Sequence, residues 1–236
     1  MTKPIIVGDD TQTSTESVNR PEQLASYQYF PSAIYMIDKP EFLASARTLG
    51  TQYLKDLKKT TPQPNAIYPL YQSNNMFADK KIEPLASYIA QTAWNILREQ
   101  GHNMAGMTTY FLEMWCQEFH KMASQDEHVH GYGSQMVGFY FLDTPKDCAR
   151  IVIHDPRPAR KQINLPETNN SNATYASTMI NFEPKPGQLF FANSWLPHSF
   201  TRHANKTPLR FIHFNLGVMP TPQSQQTPAN NNATIV

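Results

Sequence analysis

His128 and His130 are separated by a single residue, and Pro197-His198 and Arg210 follow further along the sequence. Side chains alternate along an extended strand, so the two imidazoles of His128-Val129-His130 project from one face. Their Cα atoms then lie roughly 6–7 Å apart. Both rings reach a single ion at the about 2.0–2.2 Å bond length of nitrogen ligands. A third ligand from a distant strand, with His198 as the candidate, closes one face of an octahedron. The opposite positions stay open to substrate and O2, which is the logic of a non-haem iron centre.

Arg210 lies twelve residues beyond His198, inside Leu209-Arg210-Phe211-Ile212-His213-Phe214-Asn215. A guanidinium among apolar strand residues, if it faces inward, must find an anion, because burying it unpaired is very costly. Its planar fork suits a carboxylate. That carboxylate is either a ligand's or a neighbouring Asp or Glu of the protein, and the residues alone leave both open.

The elements that must position these residues follow from periodicity. Residues 32–37 predict a first strand. Asp38 then predicts a helix cap, with Pro40 in the first turn and Glu41 three residues on in a capping-box arrangement. Phe42, Ala46, Leu49, Tyr53 and Leu57 give that helix one apolar stripe, and Pro62 and Pro64 end it. A second helix is predicted over residues 81–100 behind Asp79, stopped by Gly101. From Met107 the period changes to two, and residues 107–119, 134–142, 149–154, 188–192 and 209–216 read as strands punctuated by Gly and Pro. Helices followed by a run of strands argue for an α+β domain in which two N-terminal helices back a β-sandwich or barrel. The polar stretch 157–175 is long for a loop and reads as a disordered segment or a lid over a site.

Composition bounds the rest. With 236 residues and a net charge of +1, the protein has room for one core, and no run of Lys or Arg signals a nucleic-acid partner or a membrane surface. No stretch reaches the length of a transmembrane helix, and the polar N-terminus shows no signal peptide. The two cysteines, Cys116 and Cys148, fit a reduced, cytoplasmic compartment. Residues 1–25 read as a flexible arm, 26–219 as one domain (helical support 38–101, β core 107–218), and 220–236 as a disordered tail.

Taken together, these pieces resemble the double-stranded β-helix (jelly-roll or cupin-like) dioxygenases that use Fe(II) and 2-oxoglutarate. Their pattern is His-x-Asp/Glu, a distal His, and an Arg or Lys roughly ten residues later that binds the far carboxylate of 2-oxoglutarate. His128-Val129-His130 occupies the first element, His198 the second and Arg210 the third. Within that superfamily the protein resembles a prolyl-hydroxylase-like oxygenase family of marine bacteria and phages. The likeness covers residues 33–219 and includes Ser73-Asn74, the strand 137–143 and the Ser194-Trp195 run before His198.

The resemblance implies Fe(II) and 2-oxoglutarate as cofactors, O2 as co-substrate, and hydroxylation of a prolyl or other side chain, with a protein or peptide as substrate. It implies His128, His130 and His198 as metal ligands and Arg210 as the co-substrate anchor, supported by Tyr140. Two departures stand out. His130 occupies the carboxylate position, so either it ligates, or it stands behind the ligands while a water, Asp126 or Glu127 completes the set. Ile212 stands where many relatives place Ser. Two other readings use the same residues: a three-histidine cupin-type dioxygenase without 2-oxoglutarate, and a non-catalytic β-sandwich binding protein that keeps the fold alone.

Overall fold

The small sheet that will carry the histidines runs in the order β4 (Gln125–His128), β9 (His198–Phe200), β6 (Ile151–His154) and β7 (Met179–Phe182). Against it packs a six-stranded antiparallel sheet in the order β1 (Ile34–Asp38), β8 (Gln188–Asn193), β5 (Ser134–Asp143), β10 (Leu209–Pro220), β3 (Met107–Phe119) and β2 (Leu70–Gln72). This is a computed structural model, described for residues 30–162, 165–167 and 172–221. The described residues from Ser32 onward form one compact unit.

The large sheet is buried on both faces, which is why its central strands are almost continuously apolar. One face of β5 and β10, with Met136, Tyr140, Leu142, Ile212, Phe214 and Leu216, packs under α1 (Leu43–Thr60) and α2 (Glu83–Glu99). The other, with Val137, Phe139, Phe141, Leu209 and Phe211, meets Ile151, Ile153 and Phe200 of the small sheet. Phe200 stacks on Phe211 at 5.0 Å and stands edge-on to Phe139 at 5.1 Å. A Cβ on Gly138 would collide with the Phe214 ring and the Phe190 carbonyl, so only glycine lets β8 and the helix-side core close here.

The helices form where the apolar stripes predict. Ala46, Leu49 and Leu54 of α1 and Leu85, Ile89, Ala93 and Ile96 of α2 are buried. Their starts differ from expectation. No capping box forms at Asp38, which ends β1 and accepts a hydrogen bond from Gln188 Nε2, while Glu41 pairs with Lys39. A 3-10 turn over Pro40–Phe42 leads into α1 instead. Asp79 caps one turn ahead of α2 by accepting the Lys81 N–H, and Gly101, at φ +94°, ends that helix in the left-handed region.

The strands β2, β4, β7 and β9 add to those that alternation alone predicts, and β10 runs four residues further, to Pro220. The predicted N-terminal arm and nearly all of the predicted tail lie outside the described residues, as does part of the 157–175 stretch. No helix among the described residues is long and apolar enough to cross a membrane. Cys116 and Cys148 are free thiols.

Candidate metal centre

The antiparallel pairing of β4 and β9 sets the last residue of one directly opposite the first of the other, and those residues are His128 and His198. The backbone runs on past β4 so that the His130 N–H donates to the Ser194 carbonyl at 2.9 Å. That bond holds the third ring over the other two. Ring centroids are 4.5 Å apart for His128 and His198, 5.0 Å for His128 and His130, and 5.1 Å for His130 and His198. One nitrogen from each ring lies within 4.8 Å of the others.

The orientation of each ring decides which nitrogen is offered. His128 Nδ1 lies 2.8 Å from the Asp126 carbonyl and His198 Nδ1 2.9 Å from the Leu196 carbonyl. A carbonyl only accepts, so both Nδ1 atoms carry the proton and both Nε2 atoms present a lone pair. His130 Nε2 faces His198 Nε2 at 3.3 Å. Two nitrogens about 2.1 Å from one ion and at right angles are about 3 Å apart, so the separation suits a shared cation. Burial, with smaller contributions from the neighbouring imidazoles, pushes His198 down to about 3 despite its bond to Leu196. Burial and then His128 push His130 down to about 4. Both are therefore neutral at physiological pH, the form that binds metal.

This donor set fits a borderline divalent cation such as Fe(II), for which imidazole is a suitable ligand. Among the described residues no carboxylate joins the group. Asp126 instead accepts the Tyr68 hydroxyl at 2.8 Å. Glu127 meets His154 Nδ1 at 3.4 Å, and His154 Nε2 lies 2.9 Å from Ser199 Oγ. Those linked contacts tie β4, β6 and β9 together behind the ligands.

Two expected site residues are not brought to the histidines. Arg210 leaves β10 on the helix side, in phase with Ile212 and Phe214, whereas His213 shares the inner face with Phe211. Its Nε donates to Glu118 Oε2 at 2.7 Å, and a second nitrogen lies 3.6 Å from Asp143. The anion it needed is therefore the protein's own, and Arg210 is not placed to anchor a ligand at this centre. Tyr140 lies on the same helix side and donates its hydroxyl to the Lys39 carbonyl at 2.6 Å. Burial pushes its phenol up to about 12. It packs and caps; it does not face the centre. Arg157, at the start of the expected lid, donates to Asp155 twice from its guanidinium and once from its backbone N–H.

Sequence reasoning missed one residue that borders the centre, His213, and the ring stacked on it, Trp115. The His213 ring lies 5.2 Å from that of His130, and Trp115 stacks on His213 at 4.8 Å and 21°. The only signal for them was a histidine inside an otherwise apolar strand, two positions from Phe211.

Residues 113–215, which include all three histidines, match the family described as "Putative 2OG-Fe(II) oxygenase". A comparison with curated proteins found no match. Among solved structures, AviO1 from Streptomyces viridochromogenes Tue57 is 12% identical, the match covering 81% of this protein and 93% of that one with a TM-score of 0.56. A prolyl-4-hydroxylase from Pseudomonas putida is 10% identical, covering 78% and 92%, with a TM-score of 0.50. The viral collagen prolyl hydroxylase of Paramecium Bursaria Chlorella virus-1, in complex with 2-oxoglutarate, is 11% identical, covering 78% and 94%, with a TM-score of 0.50. Residues 113–215 are thus similar to oxygenases that use Fe(II) and 2-oxoglutarate.

Proposed function

We propose that this protein is an Fe(II)- and 2-oxoglutarate-dependent oxygenase that hydroxylates an unactivated C–H bond of an amino-acid residue, with a prolyl residue of a peptide as the first substrate to test. The observation that carries the reading is the convergence of three neutral imidazoles, His128, His130 and His198, within 4.8 Å. We assign these three as the metal ligands and read the two facing sheets as a double-stranded β-helix.

The iron and 2-oxoglutarate together supply the oxidation, in which O2 is consumed as the keto acid becomes succinate and CO2. The protein's own residues bind and orient. His128 and His198 are fixed through their Nδ1–H bonds to backbone carbonyls, so the lone pairs stay aimed without rearrangement. Phe139 stands edge-on to His198 at 5.9 Å and, with Phe200 and Phe211, keeps water out from below. All three ligands are neutral, so compensation of the ion's charge falls to the bound keto acid.

The mouth of the site supports a cyclic, apolar target. Val129 and Trp195 are half exposed, and Tyr132 is fully exposed at φ +54° between Gly131 and Gly133. A tyrosine held in the left-handed region at a site rim is a conformation that function more often explains than folding. Exposed aromatic faces are surfaces on which proline rings pack. Prolyl residues are also the substrates named for two of the proteins that share the fold.

A second reading has a specific observation in its favour. The site holds no carboxylate among the described residues and Arg210 is occupied by Glu118, as a three-histidine dioxygenase without 2-oxoglutarate would require. Anaerobic titration of the protein with Fe(II) and 2-oxoglutarate separates the readings. A weak metal-to-ligand charge-transfer band in the visible supports the first. Bound iron without the band supports the second, and no iron binding leaves a binding protein that keeps the fold alone.

A further inference from the structure

The inner face of β10 changes character along its length. Cross-strand pairs with β3 put Phe211 beside Gln117, His213 beside Trp115 and Asn215 beside Glu113. Phe211 stacks on Phe200 and belongs to the closed floor. His213 stands level with the metal ligands, its ring 5.2 Å from that of His130. Asn215 and Glu113 lie one repeat further, roughly 6–7 Å along the strands. That end is the open one. Asn215 pairs with Val137 of β5, and the loop that carries Tyr132 enters β5 three residues earlier, at Ser134. A molecule that enters over the Tyr132 rim therefore passes Glu113 before it reaches the histidines.

Glu113 is the only charged residue in these three pairs, and it is partly exposed. Among the described residues it forms no ion pair; its partner is Asn215 Nδ2 at 2.8 Å. A carboxylate only accepts, so this bond fixes which end of the Asn215 amide faces Glu113. Asn215 Oδ1 is thereby left without a partner, on a residue only 3% exposed. Buried polar atoms are seldom left so, and each exception asks for an explanation. The two orphan donors of the same wall, Trp115 Nε1 and His213 Nδ1, lie in the ring stack. What remains for a ligand is a pair of acceptors, one of them charged. Such a pair repels a carboxylate and suits a positively charged nitrogen with several N–H groups. The Trp115 indole, in phase with Glu113 on the same strand, adds an aromatic wall of the kind cations favour. With neutral imidazoles, a divalent ion and a doubly charged keto acid sum to no net charge, so Glu113 stays uncompensated.

Resting on the amino-acid substrate reading above, we propose that Glu113, held by Asn215, recognises a protonated nitrogen of the substrate. That nitrogen belongs to a basic side chain or a free amino end beside the residue that is hydroxylated. It donates to the Glu113 carboxylate and to Asn215 Oδ1, and the neighbouring residue extends toward the histidines. The contact sets specificity and takes no part in the oxidation.

The test uses two pairs of peptides on the full-length protein loaded anaerobically with Fe(II) and 2-oxoglutarate. Acetyl-Gly-Pro-Lys-Gly-amide is compared with its norleucine counterpart, and Pro-Gly-Gly-amide with its acetylated form. Each pair differs by one positive charge, on a side chain in the first and at the amino end in the second. Calorimetry and tryptophan fluorescence give the dissociation constants. In at least one pair the charged member should bind at least about tenfold more tightly, the worth of a hydrogen bond to a charged group. Glu113→Gln should abolish that preference while Fe(II) affinity and the affinity for the neutral peptides stay unchanged. Equal affinities within both pairs, no binding of any peptide, or a preference that survives in Glu113→Gln overturns the proposal. Should the glutamine variant not fold, Glu113→Ala makes the same comparison. The oxygenase reading is judged separately in air, by succinate release and by the gain of one oxygen atom in the peptide. Charge preference without either product removes that reading and leaves the recognition site; turnover without charge preference does the reverse.

Discussion

Glu118 and Arg210 face each other across β3 and β10 with Arg210 Nε 2.7 Å from one carboxylate oxygen, and the Lys58 ammonium closes on the other oxygen at 2.6 Å. The Glu118 side chain is 1% exposed, so this carboxylate has no water to fall back on. The pair joins α1 to two central strands of the large sheet, and it sits on the face turned away from the histidines.

Removing the arginine should therefore cost stability and spare the metal. Breaking a buried ion pair from one side costs about 3–5 kcal/mol. Arg210→Met belongs at the lower end, about 3 kcal/mol, because Lys58 still covers Glu118. Urea unfolding measures the loss, and Fe(II) titration of the same variant should match the wild type. An Arg210 variant of full stability that no longer binds iron would contradict the placement of this residue.

The same carboxylate gives the fold an acid limit. Burial alone would raise the Glu118 carboxyl, but the Lys58 hydrogen bond and the Arg210 charge outweigh it and hold it below the ordinary range. The folded state therefore binds the proton less readily than the unfolded state, so stability from this group is full above the unfolded value of about 4.3. It is lost as pH falls through the lower folded value. Urea midpoints measured down from about pH 6 to pH 3 should decline in the wild type and decline less steeply in Glu118→Gln.

At the centre itself, His198→Ala and His130→Ala should each weaken Fe(II) binding by more than the about 10–100-fold that loss of an outer-shell partner costs. His130→Asp should retain binding, because a carboxylate oxygen substitutes for nitrogen in an iron site. Iron content after anaerobic loading and desalting checks all three. Wild-type iron content in His130→Ala would make that ring a neighbour of the ligand set and not a member.

The two thiols should differ in reactivity. Burial pushes Cys116 up to about 12, and the thiolate is the reactive form. Disulfide reagents at neutral pH should label at most Cys148 in the native protein and both cysteines after denaturation. Rapid native labelling of Cys116 would mean that α1 lifts from the sheet far more often than its packing allows.

Much of this arrangement is legible in the sequence. The long strands β3, β5, β8 and β10 and both helices follow from periodicity, and the pairing of His-x-His with a distal histidine points to the centre. What is not legible is equally specific. The strands β4, β7 and β9 are three or four residues long, too short for alternation to register. The face on which Arg210 lies is hidden because Leu209 to Asn215 mixes apolar and polar residues on both faces, so the period-2 signal that assigns sides is absent. Trp115 and His213 escape notice because each looks like core until the register pairs them. The cap at Asp38 fails because β1 runs one residue further than the helix signal assumes.

The division of β10 between two faces has a practical meaning for changing this protein. Positions 210, 212 and 214 belong to the buried ion pair and the helix-side core, while 211, 213 and 215 belong to the inner wall. Because neighbouring residues alternate between faces, substitutions at 213 and 215 reach the side that faces the histidines without touching the ion pair, whereas Phe211 on that side is core and is best left unchanged. One inserted residue would exchange the two sets at once. The strand is thus open to redesign by substitution and closed to redesign by length.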